Sequence, residues 1–87
     1  MILLVAYDLK QSAASYADLF EILKSKDSWW HYLSSTWLIA TDESPTELNR
    51  QLIPHIFKGD RVLVTRLEPD RAGWLPTKAW EWIKKNK

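Results

Sequence analysis

At 87 residues, with no cysteine and a net charge of +1, the chain has room for one domain and one core, and it excludes disulfides and cysteine-based zinc sites. A chain this short buries only about 60–65% of the surface its unfolded form exposes, so a partner subunit is the support to expect. The small net charge hides an asymmetry: residues 1–57 carry four cations against seven anions, net −3, and residues 58–87 carry eight against four, net +4. A basic C-terminal third either attracts phosphate or is an ordinary solvated surface ending in a lysine tail. The N-terminal apolar run is too short to span a bilayer and lacks the pattern of a signal peptide, so the expectation is a cytoplasmic protein with no membrane association.

Ile2-Leu3-Leu4-Val5-Ala6-Tyr7, closed by Asp8, reads as a strand buried on both faces. Ser15, with Asp18 three residues on, offers a helix start close to a capping box, and Tyr16, Leu19, Phe20 and Leu23 make one apolar stripe ending near Lys26. Two aromatic and β-branched runs, 29–33 and 36–41, surround Ser34-Ser35 and read as a β-hairpin. Ser44-Pro45-Thr46-Glu47 is a full capping box with proline at the first helical position. Leu48, Leu52, Ile53 and Ile56 extend that helix's stripe until Pro54 stops it near Ile53. Arg61 to Leu67 is a fourth strand. Beyond a turn-rich link, Pro76 opens a short helix in which Ala79, Trp80 and Ile83 share a side.

Strand, helix, hairpin, helix, strand is the order of an α+β, ferredoxin-like βαββαβ domain. It has a four-stranded antiparallel sheet with two helices on one face. This domain covers residues 1–67, and residues 68–87 form a linker and C-terminal helix that packs on the sheet or on a dimer partner. Ile2, Leu4 and Ala6 point one way from the first strand and Leu3, Val5 and Tyr7 the other, so both faces are apolar. Two helices cover only one of them. The expected cover for the second is the C-terminal segment with Trp74, Trp80 and Trp82, a second subunit, or both, and a homodimer is expected. Of the six tryptophans, Trp30, Trp37 and Trp80 fall on apolar stripes and read as packing residues; Trp29 and Trp82 are the candidates for exposure.

The first strand ends in Tyr7-Asp8, a carboxylate at the strand tip with a helix to follow. In this fold class that pattern resembles the small CRISPR-associated endonuclease-like subunit of the spacer-adaptation complex, and also the VapD-type ribonucleases. The third-strand feature Ser35-Thr36-Trp37 matches the adaptation family as well. The run from Trp29 to Ile39 is most similar to poorly characterised bacterial chains labelled SinR-like, although nothing here resembles a helix-turn-helix. The resemblance spans roughly residues 1–67. It implies that Asp8 is the catalytic and metal-binding residue, two copies facing each other across a dimer axis to hold one Mg²⁺ that polarises a phosphodiester. The residue chemistry alone also allows Asp8 to be a turn or helix-capping residue.

His31 reads as a packed or surface imidazole and His55 as a helix-end residue. Ser34 and Ser35 lack triad partners, and two glycines, Gly59 and Gly73, make no phosphate loop. Three functions follow: a homodimeric nucleic-acid-associated protein with weak metal-dependent phosphodiesterase activity, a non-enzymatic dimeric scaffold for DNA or a protein partner, and a toxin-like ribonuclease. Arg61, Arg66, Arg71 and Lys78 are the expected DNA or RNA contacts. Placement of these four on one surface with Asp8 favours nucleic acid, and scatter favours a protein partner.

Overall fold

Local sequence chemistry sets where each element starts and stops. The structure, a computed structural model, describes residues 1–87 apart from the side chain of Tyr32. Strand β1 is Ile2–Asp8, and a 3₁₀ turn at Ala13–Tyr16 leads into helix α1, Ala17–Lys24. The hairpin is β2, Ser28–Leu33, and β3, Thr36–Ala40. Helix α2 is Pro45–Leu52, strand β4 Arg61–Arg66 and helix α3 Thr77–Asn86. At the start of α2 the Ser44 hydroxyl accepts from the Glu47 amide at 3.1 Å while Glu47 accepts from the Ser44 amide at 3.2 Å, the reciprocal box the sequence predicts. Pro54 reduces the next residues to a 3₁₀ turn, Ile53–His55. Gly59, at φ +92°, supplies the left-handed turn into β4.

The start of α1 differs from the expectation. Ser15 makes no capping bond, and the α-helix begins at Ala17. Tyr16 is buried with its hydroxyl bonded to Asp60, and this anchor holds residues 13–16 in a tighter turn that places Ser15 before the helix.

The sheet order is β2-β3-β1-β4 with every neighbour antiparallel. Strand β3 therefore lies between β1 and β2, and β1 between β3 and β4. This is the ferredoxin-like α+β arrangement, with α1 and α2 on one face. Leu3, Val5, Trp37 and Ile39 from that face pack with Leu19, Leu23, Leu48 and Leu52. At the far side of the helix layer, Lys26 pairs with Glu43 at 2.7 Å and donates to Gln51 at 2.6 Å, tying the end of α1 to α2. The Lys26 ammonium bonded to it holds the Glu43 carboxyl below its ordinary range.

The opposite face has its own smaller cluster: Ile2, Trp30 and Leu38 against Ala79 and Ile83 of α3, with Leu4, Trp80 and Trp82 at its margin. The Trp82 indole N–H donates to the Ser28 hydroxyl at 2.9 Å, fixing α3 over β2. The C-terminal segment is thus the chain's own cover, but it reaches only β2, β3 and the start of β1, where Ile2 and Leu4 lie. Over β4 the face is open at Leu63, which is 62% exposed. Trp74 does not join the apolar cover that the sequence suggests for it; it is 100% exposed. Leu75 packs at the margin of the α3 cluster and Gly73 lies near the Trp80 ring, while the Trp74 side chain stands in solvent. Trp29, at 40%, is exposed as the sequence allows, whereas Trp82 is half-buried. No helix is long and apolar enough to cross a membrane among the described residues.

Trp37 is the largest fully buried side chain. Trp37→Ala is expected to cost about 3–5 kcal/mol, a large share of the roughly 5–10 kcal/mol available to a domain of this size. Trp74→Ala is expected to change stability by less than about 0.5 kcal/mol, and urea unfolding followed by circular dichroism measures both.

Candidate functional site

Asp8 closes β1 and faces Arg61 across the β1–β4 ladder. Both residues are exposed. The chain then turns, and Lys10 folds back so that its ammonium meets Asp8 Oδ2 at 2.9 Å. Asp8 is therefore an exposed carboxylate paired with Lys10 in solvent, where such an ion pair contributes about 0–1 kcal/mol. The Lys10 backbone N–H points the other way, into the protein, and donates to Asp60 Oδ1 at 2.8 Å.

Asp60 is the one acidic residue buried among the described residues, at 7% exposure. Its second oxygen accepts from the Tyr16 hydroxyl and from the Phe57 amide, both at 2.8 Å. Tyr16 in turn accepts from the Gln11 amide at 3.0 Å. Three separated segments, 10–11, 16 and 57–60, are thereby joined under the end of β1. Burial pushes the Asp60 pKa up, but the hydrogen bonds from Phe57, Lys10 and Tyr16 outweigh it and hold the carboxyl below its ordinary 3.8. Burial raises the Tyr16 pKa, and the Asp60 charge adds to that.

The resemblance asks Asp8 to hold Mg²⁺, and one chain's donor set does not fit that ion. Asp8 is a lone carboxylate engaged by Lys10, and both Asp60 oxygens are taken by protein donors. No group of three or more metal-ligating side chains occurs among the described residues. The basic residues divide between locations. Arg61 accompanies Asp8. Arg66, five residues along β4 and so about 17 Å away, points from the opposite face of the sheet. At that end of the sheet Arg66, Arg71 and Lys87 line a cleft of about 550 Å³ with Ile2, Leu67 and Pro69, and the Arg71 guanidinium donates to the Glu68 carbonyl at 3.0 Å. Lys78 belongs to a third place, a hollow beside Trp29, Trp30 and Trp82.

His31 is a packed imidazole. Its ring stacks on Trp37 at 4.0 Å, and because a carbonyl can only accept, Nδ1 carries the proton it donates to the Thr36 carbonyl at 3.1 Å. The Trp37 indole donates to the Tyr7 hydroxyl at 3.0 Å, so Tyr7, beside Asp8 in sequence, is turned into the core face. Sequence reasoning missed the Asp60–Tyr16 pair. Gly59-Asp60 before a strand is a turn signal, but nothing in the sequence marks a partner 44 residues away. Family models, curated proteins and solved structures give no match to this chain.

Asp60→Asn is expected to lower the thermal midpoint by more than about 4 °C, while Asp8→Asn leaves it nearly unchanged. The depressed folded pKa values of Asp60 and Glu43 mean that the stability each contributes is complete above its ordinary 3.8 or 4.5 and is lost as pH falls through the lower folded value. Glu43→Gln is expected to flatten the acid limb of a stability profile measured between pH 7 and pH 2.

Proposed function

We propose that this chain is a non-catalytic, homodimeric interaction module, using the architecture of adaptation-type subunits as a scaffold and not as a nuclease. The observation that carries this reading is the state of Asp8: a solvated carboxylate paired with Lys10 and facing Arg61 on the ladder, while Asp60, bonded to the Lys10 amide, is wholly engaged in structural hydrogen bonds. A site built for a divalent cation concentrates carboxylates and keeps ammonium groups away. The separation of the basic residues also favours a protein partner over a nucleic-acid track anchored at Asp8. Sedimentation equilibrium at micromolar concentration is expected to give a species of twice the 10.2 kDa chain mass. Wild type and Asp8→Asn, prepared in parallel, are expected to give equal background on DNA and RNA with Mg²⁺ or Mn²⁺. Cleavage that disappears in Asp8→Asn overturns the non-catalytic reading and restores the Asp8 nuclease.

A second reading, nucleic-acid binding without cleavage, is favoured by Arg66, Arg71 and Lys87 lining one cleft. If it holds, affinity for duplex DNA falls linearly in log–log salt plots, and Arg66→Glu with Arg71→Glu reduces the slope by about 0.9 per phosphate contact removed. Absence of binding to duplex, single-stranded DNA and RNA at low salt removes it.

A further inference from the structure

The sheet has two edges, and they are unequal. Strand β2 is broken by a bulge between Trp30 and Leu33, with α3 packed on its face. Strand β4 runs unbroken opposite β1 from Arg61 to Arg66, has no proline, and carries charge only at its ends. Natural edges are usually blunted by bulges, prolines or inward-pointing charges; β4 has none of these.

The ladder shows which backbone groups of β4 are unpaired. Leu67 N–H donates to the Ile2 carbonyl at 2.9 Å, in line with the β1–β4 register. Antiparallel pairing alternates, so Arg61, Leu63 and Thr65 direct their N–H and C=O groups to β1, whereas Val62 and Val64 direct theirs outward. Hollows flank this edge on both faces. One, of about 260 Å³, lies between Pro45, Thr46 and Asn49 and Val62–Val64. The other, of about 280 Å³, lies between Ala6–Asp8 and Arg61–Leu63.

We propose that β4 pairs edge to edge with β4 of a second copy, antiparallel about a two-fold axis at Leu63, giving one continuous eight-stranded sheet. The proposal rests on the homodimeric reading and specifies its interface. A two-fold axis perpendicular to the sheet must pair residues that point to the same face, so it passes through a residue and not between two. Centred on Leu63, Val62 exchanges both backbone bonds with the second copy's Val64, and the reverse. Leu63, the most exposed large apolar residue of the strands, meets its own copy, and Arg61 lies opposite the second copy's Thr65. No two cations face each other across the pair. Centred on Val64 instead, Leu63 faces Thr65 and Val62 faces Arg66, which leaves the leucine unmatched. Charge and apolar pattern therefore select a second copy of this chain, in one register. With strands about 4.8 Å apart and a rise of about 3.4 Å per residue, the two Asp8 carboxylates of this dimer lie about 20 Å apart, too far to share one cation.

The absence of native cysteine makes the register directly testable. In a non-hydrogen-bonded antiparallel pair the Cα atoms approach to about 4.5 Å, within disulfide reach. Leu63→Cys is expected to oxidise to a covalent dimer on a non-reducing gel, Arg61→Cys and Thr65→Cys each alone to stay uncrosslinked, and a mixture of those two to crosslink. Val64→Pro removes an outward N–H that β1 does not use. It is expected to weaken dimerisation at least tenfold by sedimentation, with the far-ultraviolet spectrum retained. A wild-type dimer that crosslinks through Ala6→Cys but not Leu63→Cys, or that forms unchanged with Val64→Pro, overturns the edge pairing and leaves the dimeric module standing. A wild-type monomer at the highest soluble concentration overturns both.

Discussion

A four-stranded sheet whose strands are apolar on both sides has two faces to remove from water, and this requirement organises the molecule. Helices α1 and α2 follow from the crossover connections and occupy one face, where Trp37 and Leu3 lie at the centre of the larger cluster. The other face depends on α3, brought back by a ten-residue link and held by Ala79, Ile83 and the Trp82–Ser28 hydrogen bond. One ten-residue helix is about 15 Å long, too short to cover four strands along their full length. What remains in solvent, the β4 side with Leu63, adjoins the unprotected edge of the sheet.

The polar groups near the end of β1 divide by burial. Asp60, inside, has every oxygen satisfied and joins three chain segments, so its charge is spent on holding the turn into β4 and the approach to α1 together. Asp8, outside, shares its charge with Lys10. Asp60 is held low by donors it cannot release without loosening the fold, and Asp8 stands in solvent. A dimer joined at β4 keeps the two Asp8 groups on well-separated strands, and this agrees with an interaction module.

Much of the fold is legible in the sequence because it is written in short-range chemistry. The capping box at Ser44, the stop at Pro54, the turn at Gly59 and the two-sided apolar run of β1 each follow from a few adjacent residues. The start of α1 is misread for the same reason. Ser15 looks like a cap locally, and Tyr16, held from a distance by Asp60, overrides it. Trp74 is misread because composition counts an indole as apolar area wherever it falls, whereas the path of the link decides which way the side chain points.

The functional residues were less legible. Arg61 and Arg66 belong to one strand in the sequence, yet a five-residue separation puts them on opposite faces and opposite ends, so a basic segment becomes two unrelated charges. What the sequence by itself determined is the α+β class, the strand and helix order, and the fact that both sheet faces need cover, since periodicity and capping are local properties of the backbone. What only the tertiary structure decided is which part of the second face α3 covers, which carboxylate is buried, and which two strands become the edges of the sheet. These depend on contacts between residues tens of positions apart, whose pairing is set by packing of the whole chain and not by any segment of it.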